Sequence, residues 1–152
     1  MSSHQQGFSY LVALFMVAVL AVVSVRGVEV TVTKERRMKE LELLYVGHAY
    51  RTAIKNYYDN TPGTAKQFPR DLASLLEDSR TSRLNRHLRK LYADPISGSH
   101  NWGIVTAPDG GIMGVYSLST FVPIKVSQFQ SEYLHFTNAK TYQDWKFIYQ
   151  PN

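Results

Sequence analysis

The sequence predicts an α+β fold: a long N-terminal helix, apolar in its first half and amphipathic in its second, packed by that second half on a small antiparallel β-sheet. Three observations carry this. The stretch from Phe8 to Val25 holds 18 residues without a charge. Apolar residues recur at helical spacing between Leu43 and Tyr57. Two runs of strand-forming residues flank Pro108-Asp109-Gly110-Gly111.

The apolar stretch comes first. As a helix it is roughly 27 Å long at about 1.5 Å per residue, close to the hydrocarbon thickness of a bilayer. Eleven of its residues are Leu, Val or Phe, which favours insertion by roughly 3 to 7 kcal/mol. It reads as a single membrane span. The alternative is a buried core helix, and then the rest of the chain must wrap a rod that is apolar on all sides. Residues 26–33 alternate Val28, Val30 and Val32 as a strand does. A lone strand there leaves its backbone groups unpaired, whereas a helix satisfies its own, so helix is expected, with a soft point near Gly27.

From Lys34 to Asp59 the helical pattern is strong. Leu43, Val46, Tyr50, Ala53, Ile54 and Tyr57 form a stripe. Glu35–Lys39, Arg36–Glu40 and Lys55–Asp59 stand four apart, where opposite charges support a helix. Asn60-Thr61-Pro62-Gly63 ends it.

Beyond the break, Phe68-Pro69 leads into a short helix with Leu72, Leu75 and Leu76 on one face. Residues 81–92 form a second short amphipathic segment, with Leu84, Leu88 and Leu91 on its apolar side. Arg80, Arg83, Arg86 and Arg89, with Lys90, make its basic side. Three readings of that row stand open: a solvated face, a docking face for an acidic partner, and a nucleic-acid surface. The last lacks the interleaved aromatic residues of stacking modules. Residues 102–107 and 112–117 form a hairpin about the 108–111 turn. Residues 121–124 read as an edge strand, since Pro123 cannot donate to a ladder. Residues 128–144 are irregular or part-helical, and Trp145, Phe147 and Tyr149 mark a closing strand. The chain therefore divides into residues 1–7, 8–25, 26–59 and a globular part, 60–152.

Composition narrows the function. The chain has 152 residues, 19% charged and 12% aromatic, which suits one span and one small folded domain. Its net charge of +5 is compatible with nucleic acid, anionic lipid or an acidic protein. With no cysteine, disulfides, thiol catalysis and cysteine metal sites are excluded. The five histidines, His4, His48, His87, His100 and His135, show no metal-ligand spacing and read as surface or stalk residues. No nucleophile elbow or phosphate loop occurs, and Asp94 and Asp109 read as turn formers rather than calcium ligands. No enzyme, cofactor or metal is expected.

Gly7-Phe8, opening an uncharged apolar helix near the N-terminus, resembles the type IV pilin and type II secretion pseudopilin class. The later residues resemble a subgroup of type II secretion pseudopilins: Glu42-Leu43-Leu44-Tyr45, Tyr57-Tyr58, Phe68-Pro69, Arg86-His87-Leu88-Arg89-Lys90-Leu91-Tyr92, Asp94-Pro95-Ile96-Ser97-Gly98 and Trp102-Gly103. The resemblance covers nearly the whole chain and implies a pilin-like fold. It implies that residues 1–7 are a leader removed by a prepilin peptidase between Gly7 and Phe8, and that Phe8 is then N-methylated. Val12 stands where most of the family carries Glu, which implies a minor subunit. The implied protein is a single-pass component of the bacterial inner membrane with its C-terminal domain in the periplasm. Its implied partners are other pseudopilins, the peptidase and the inner-membrane secretion platform, with no nucleic acid. Its implied role is structural, in a pseudopilus that assists export across the outer membrane. Five Lys and Arg after the span (Arg26, Lys34, Arg36, Arg37, Lys39) and none before it point the other way on topology. Glu29, Glu35, Glu40 and Glu42 leave that segment nearly neutral. The alternatives are a minor type IV pilin in DNA uptake or twitching, and an unprocessed bitopic membrane scaffold.

Overall fold

The computed structural model describes residues 5–151, with side chains described for residues 8–22 and 31–151. The leader and its cut at Gly7 thus fall outside the residues described in full. One helix, α1, occupies Gln5–Asp59. Three short 3-10 turns follow at Ala73–Leu75, Ser131–Phe136 and Tyr142–Asp144. The strands are β1 (Gly103–Thr106), β2 (Ile112–Tyr116) and β3 (Phe147–Ile148). The chain forms two compact units, Met1–Arg36 and Arg37–Asn152.

In the first unit every described side chain of α1 is exposed, Phe8 and Val12 among them. Residues 26–33 are helical rather than extended, and α1 continues through Gly27. Among the described residues no helix is long and apolar enough to cross a membrane. The side chains of residues 23–25, the last of the uncharged stretch, lie outside the described set.

The second unit is α+β, with α1 packed on a three-stranded antiparallel sheet of order β1-β2-β3. The stripe Leu43, Val46, Tyr50, Ala53, Ile54 and Tyr57 is buried throughout, as its spacing predicts. Val115 of β2 and Phe147 of β3 pair in the sheet and are buried beside it. Around them an aromatic cluster fills the core. Phe136 stacks on Trp145 at 5.5 Å and on Tyr133 at 5.1 Å, and Phe147 meets Phe136 edge-on. At Gly47 α1 lies directly against the Phe147 ring of β3. A Cβ there would overlap the Phe147 ring, so only glycine admits the ring at that depth.

The hairpin forms at the expected turn. Gly110 adopts a φ of 83°, its N–H donates to the Ala107 carbonyl, and the Asp109 carboxylate accepts the Gly111 N–H at 2.9 Å. The other Asp109 oxygen accepts the Phe68 N–H at 3.2 Å, and the Ile112 N–H donates to the Pro69 carbonyl at 2.7 Å. Phe68-Pro69 is thereby sewn to the hairpin.

Three elements differ from expectation. The helix at 72–76 is a single 3-10 turn, with Leu75 buried and Leu72 and Leu76 half-buried. Residues 81–92 form no helix. Asp78 and Asn85 instead exchange two backbone hydrogen bonds, and the N–H groups of His87 and Leu88 both donate to the Leu75 carbonyl. These donors serve the preceding segment, so the i to i−4 ladder of a helix does not form. Residues 121–124 are not a strand. The Ile124 and Lys125 N–H groups donate to the Glu40 carboxylate on α1, which takes the place of a neighbouring strand. The closing strand is present but short, Phe147–Ile148, extended by the Tyr149 N–H donating to the Met113 carbonyl.

Candidate functional site

The arginine row does not act as one face. Arg80 separates from the other three because Asp78, two residues before it, is buried. The Asp78 carboxylate receives Arg80 in a two-pronged contact, Nε to Oδ1 at 2.7 Å and Nη2 to Oδ2 at 2.8 Å. The same guanidinium donates from Nη1 to the Thr61 hydroxyl and from Nη2 to the Tyr57 carbonyl, both at 2.8 Å. It lies 3.4 Å over the Tyr57 ring. Arg80 therefore closes the C-terminal end of α1, where carbonyls lack helical partners and a cation is favoured. Of the four arginines read as a row, Arg80 is thus bound into the fold.

His87 completes the cluster, with Nε2 3.0 Å from Asp78 Oδ2 and its side chain buried. The reading of His87 as a surface residue is corrected with it. The Arg80 hydrogen bonds, with help from His87, hold the Asp78 carboxyl well below the usual carboxylate range against the opposing effect of burial.

Arg83, Arg86 and Arg89 remain on the outside of the 81–92 loop with Lys90, all exposed. Among the described residues none of them forms an ion pair. Leu88 is buried beneath the loop, whereas Leu84 is 62% and Leu91 36% exposed. Most of the expected apolar side of this segment thus faces outward beside the basic residues.

Two more acids are buried. Glu40 is 3% and Asp94 0% exposed, beside Asp78 at 2%. Glu40 accepts from Ile124 and Lys125 N–H and from the Tyr142 hydroxyl at 2.8 Å. Asp94 accepts the Ile96 N–H and the hydroxyls of Ser97 and Ser117. Asp94 and Asp109 are turn formers, as read, and Asp94 in addition ties its turn to the end of β2. The sequence spacing sets Glu40 four residues from Arg36 as a helix-supporting charge pair. Its position offered a signal, since Glu40 precedes Leu43 by three residues and so lies on the buried stripe. The Asp78–His87 contact carried no such signal, because His87 follows Asp78 by nine positions in a loop with no regular period.

A groove of about 330 Å³ runs beside α1, lined by Leu44, Tyr45, His48, Lys125, Phe129 and Tyr133. His48 Nδ1 lies 2.7 Å from the Tyr133 hydroxyl, and Glu132 receives Arg51 at 2.9 Å. Burial pushes the Tyr133 hydroxyl up to about 12, so it stays protonated. Among the described residues no group of three His, Asp or Glu could hold a metal ion. Of the remaining predicted site residues, Phe8 is exposed on α1, and Gly7 lies outside the residues whose side chains are described.

Comparison of the chain with protein-family models, with curated proteins and with solved structures returns no match.

Proposed function

We propose that the chain is a structural, non-enzymatic subunit of a type II secretion pseudopilus. In this reading a prepilin peptidase cuts after Gly7, Phe8 is N-methylated, and residues 8–25 hold the chain in the bacterial inner membrane or in the filament core. The globular domain stands in the periplasm and assists protein export across the outer membrane.

One observation carries the reading. A single helix has apolar side chains exposed on all sides from Phe8 to Val22 and a buried stripe from Leu43 to Tyr57. Apolar area in water costs about 25 cal/mol per Å². Lipid relieves that cost, and so does a bundle of copies of the same helix, which allows the subunit to move from one to the other. Val12 puts no charge into such a bundle. The order of parts agrees with the reading: a long helix, a loop region, the Asp94-Pro95 turn, then the hairpin.

The test is the mature N-terminus by mass spectrometry after co-expression with a prepilin peptidase. Removal of residues 1–7 and methylation of Phe8 are expected, with Gly7→Val blocking both. An intact N-terminus in the parent chain would replace this reading with that of an unprocessed membrane scaffold.

A further inference from the structure

We infer that the loop bearing Arg83, Arg86, Arg89 and Lys90 is a docking surface for the acidic face of a different protein. The inference sharpens the partner contacts of the reading above and rests on it only in taking the chain to work against other proteins.

The loop is held in place before any partner arrives. The Asp78–Asn85 bridge and the two N–H groups donated to Leu75 fix its first half. At its end the Tyr50 hydroxyl of α1 accepts the Tyr92 N–H at 2.9 Å, and Trp102 Nε1 donates to the Tyr92 carbonyl at 2.9 Å. Little backbone freedom is then lost on binding, which is the condition under which a charged loop docks tightly.

The surface has the composition of a protein contact. Arginines stand beside exposed Leu84 and Leu91, a mixture of planar cation and apolar area typical of protein interfaces. Stacking of nucleotide bases needs exposed aromatic rings, and the one aromatic of this stretch, Tyr92, is half-buried with Lys90 5.2 Å over its ring.

The partner's charge follows from complementarity. A second copy of this chain offers acids interspersed with bases rather than an acidic face. Glu40, Asp78 and Asp94 are buried, and exposed acids stand among bases: Glu35 and Glu42 beside Lys34, Arg36, Arg37 and Lys39, Asp59 paired with Lys55, and Glu132 with Arg51. The chain as a whole is +5. Charge complementarity thus favours another, acidic polypeptide as the occupant.

The experiment places a photo-crosslinking amino acid at Leu84 of the full chain in its own host cells. We expect one discrete adduct with a second polypeptide, cross-linked through a peptide rich in Asp and Glu. The substitutions R83Q, R86Q and R89Q together should lower its yield about fivefold or more. A cross-linker at Tyr45 should give an unchanged pattern in that variant, which shows that it still folds. Replacing the three arginines by Glu and the partner's acids by Lys should restore the adduct. An adduct to a second copy, to lipid or to nucleic acid overturns the inference. So does an adduct indifferent to the arginines, or none. The mature N-terminus is read from the same cells. A processed chain without a loop-dependent adduct refutes docking alone, and an unprocessed chain with one refutes only the filament reading.

Discussion

At the scale of single residues, buried acids hold this protein's loops. Three carboxylates in a domain with little regular structure satisfy backbone amides, hydroxyls and one guanidinium that would otherwise be lost to burial. Asp78 is the most consequential, because it fixes Arg80 on the end of α1 and His87 in the loop. Asp78→Asn should destabilise the full chain by about 2 kcal/mol, measured by denaturant titration in detergent micelles. The pH dependence has a definite sign. The folded Asp78 carboxyl is held low, so its contribution is complete above the unfolded value near pH 4. It is lost as acid protonates the unfolded form and then the folded one. The parent should therefore lose stability between about pH 5 and pH 2, and Asp78→Asn should show a flatter acid limb. Parallel acid limbs would assign the cluster no share. Glu40→Leu should likewise cost about 2 kcal/mol, and amide exchange at Ile124 and Lys125 should quicken while β2 stays protected.

At the scale of elements, the contact between α1 and the sheet depends on one missing side chain. Gly47 leaves the space that the Phe147 ring occupies. Gly47→Ala raises helix propensity by about 1 kcal/mol yet forces the ring off its site, and overpacking of this kind costs about 1 to 3 kcal/mol. A net loss of stability is expected, partly recovered in the double variant with Phe147→Leu. Additive effects of the two substitutions would show that helix and ring do not compete for that space. The 81–92 loop illustrates the opposite case. Its amphipathic pattern is sound, yet the bridge to Asp78 and the Leu75 carbonyl claims its amides first.

At the scale of the whole molecule, the two units differ in what they need from their surroundings. The second unit has its own core of helix stripe, hairpin and aromatic cluster. Residues 34–152 should therefore fold as a soluble monomer without metal. Its melting temperature should not move on addition of a calcium chelator, and a sharp fall would reveal a cation the fold depends on. The first unit exposes apolar side chains from Phe8 to Val22. The full chain should accordingly require detergent or lipid to remain dispersed, measured by sedimentation with and without micelles.

The sequence by itself determined the features that rest on local periodicity and turn chemistry. These are the helix through Asp59, its buried stripe, the hairpin about Gly110 and a closing aromatic strand. A 3.6-residue period, an alternation of two and an Asp-Gly turn act over a few residues, so neighbours in sequence suffice to read them. Only the tertiary structure decided which polar groups are buried. Asp78 and His87 meet across a loop, Glu40 meets Ile124 and Tyr142 across most of the domain, and Arg80 leaves its row for the end of α1. The physical reason is that a buried carboxylate takes whatever donors the fold brings within about 3 Å, and separation along the chain does not enter that requirement.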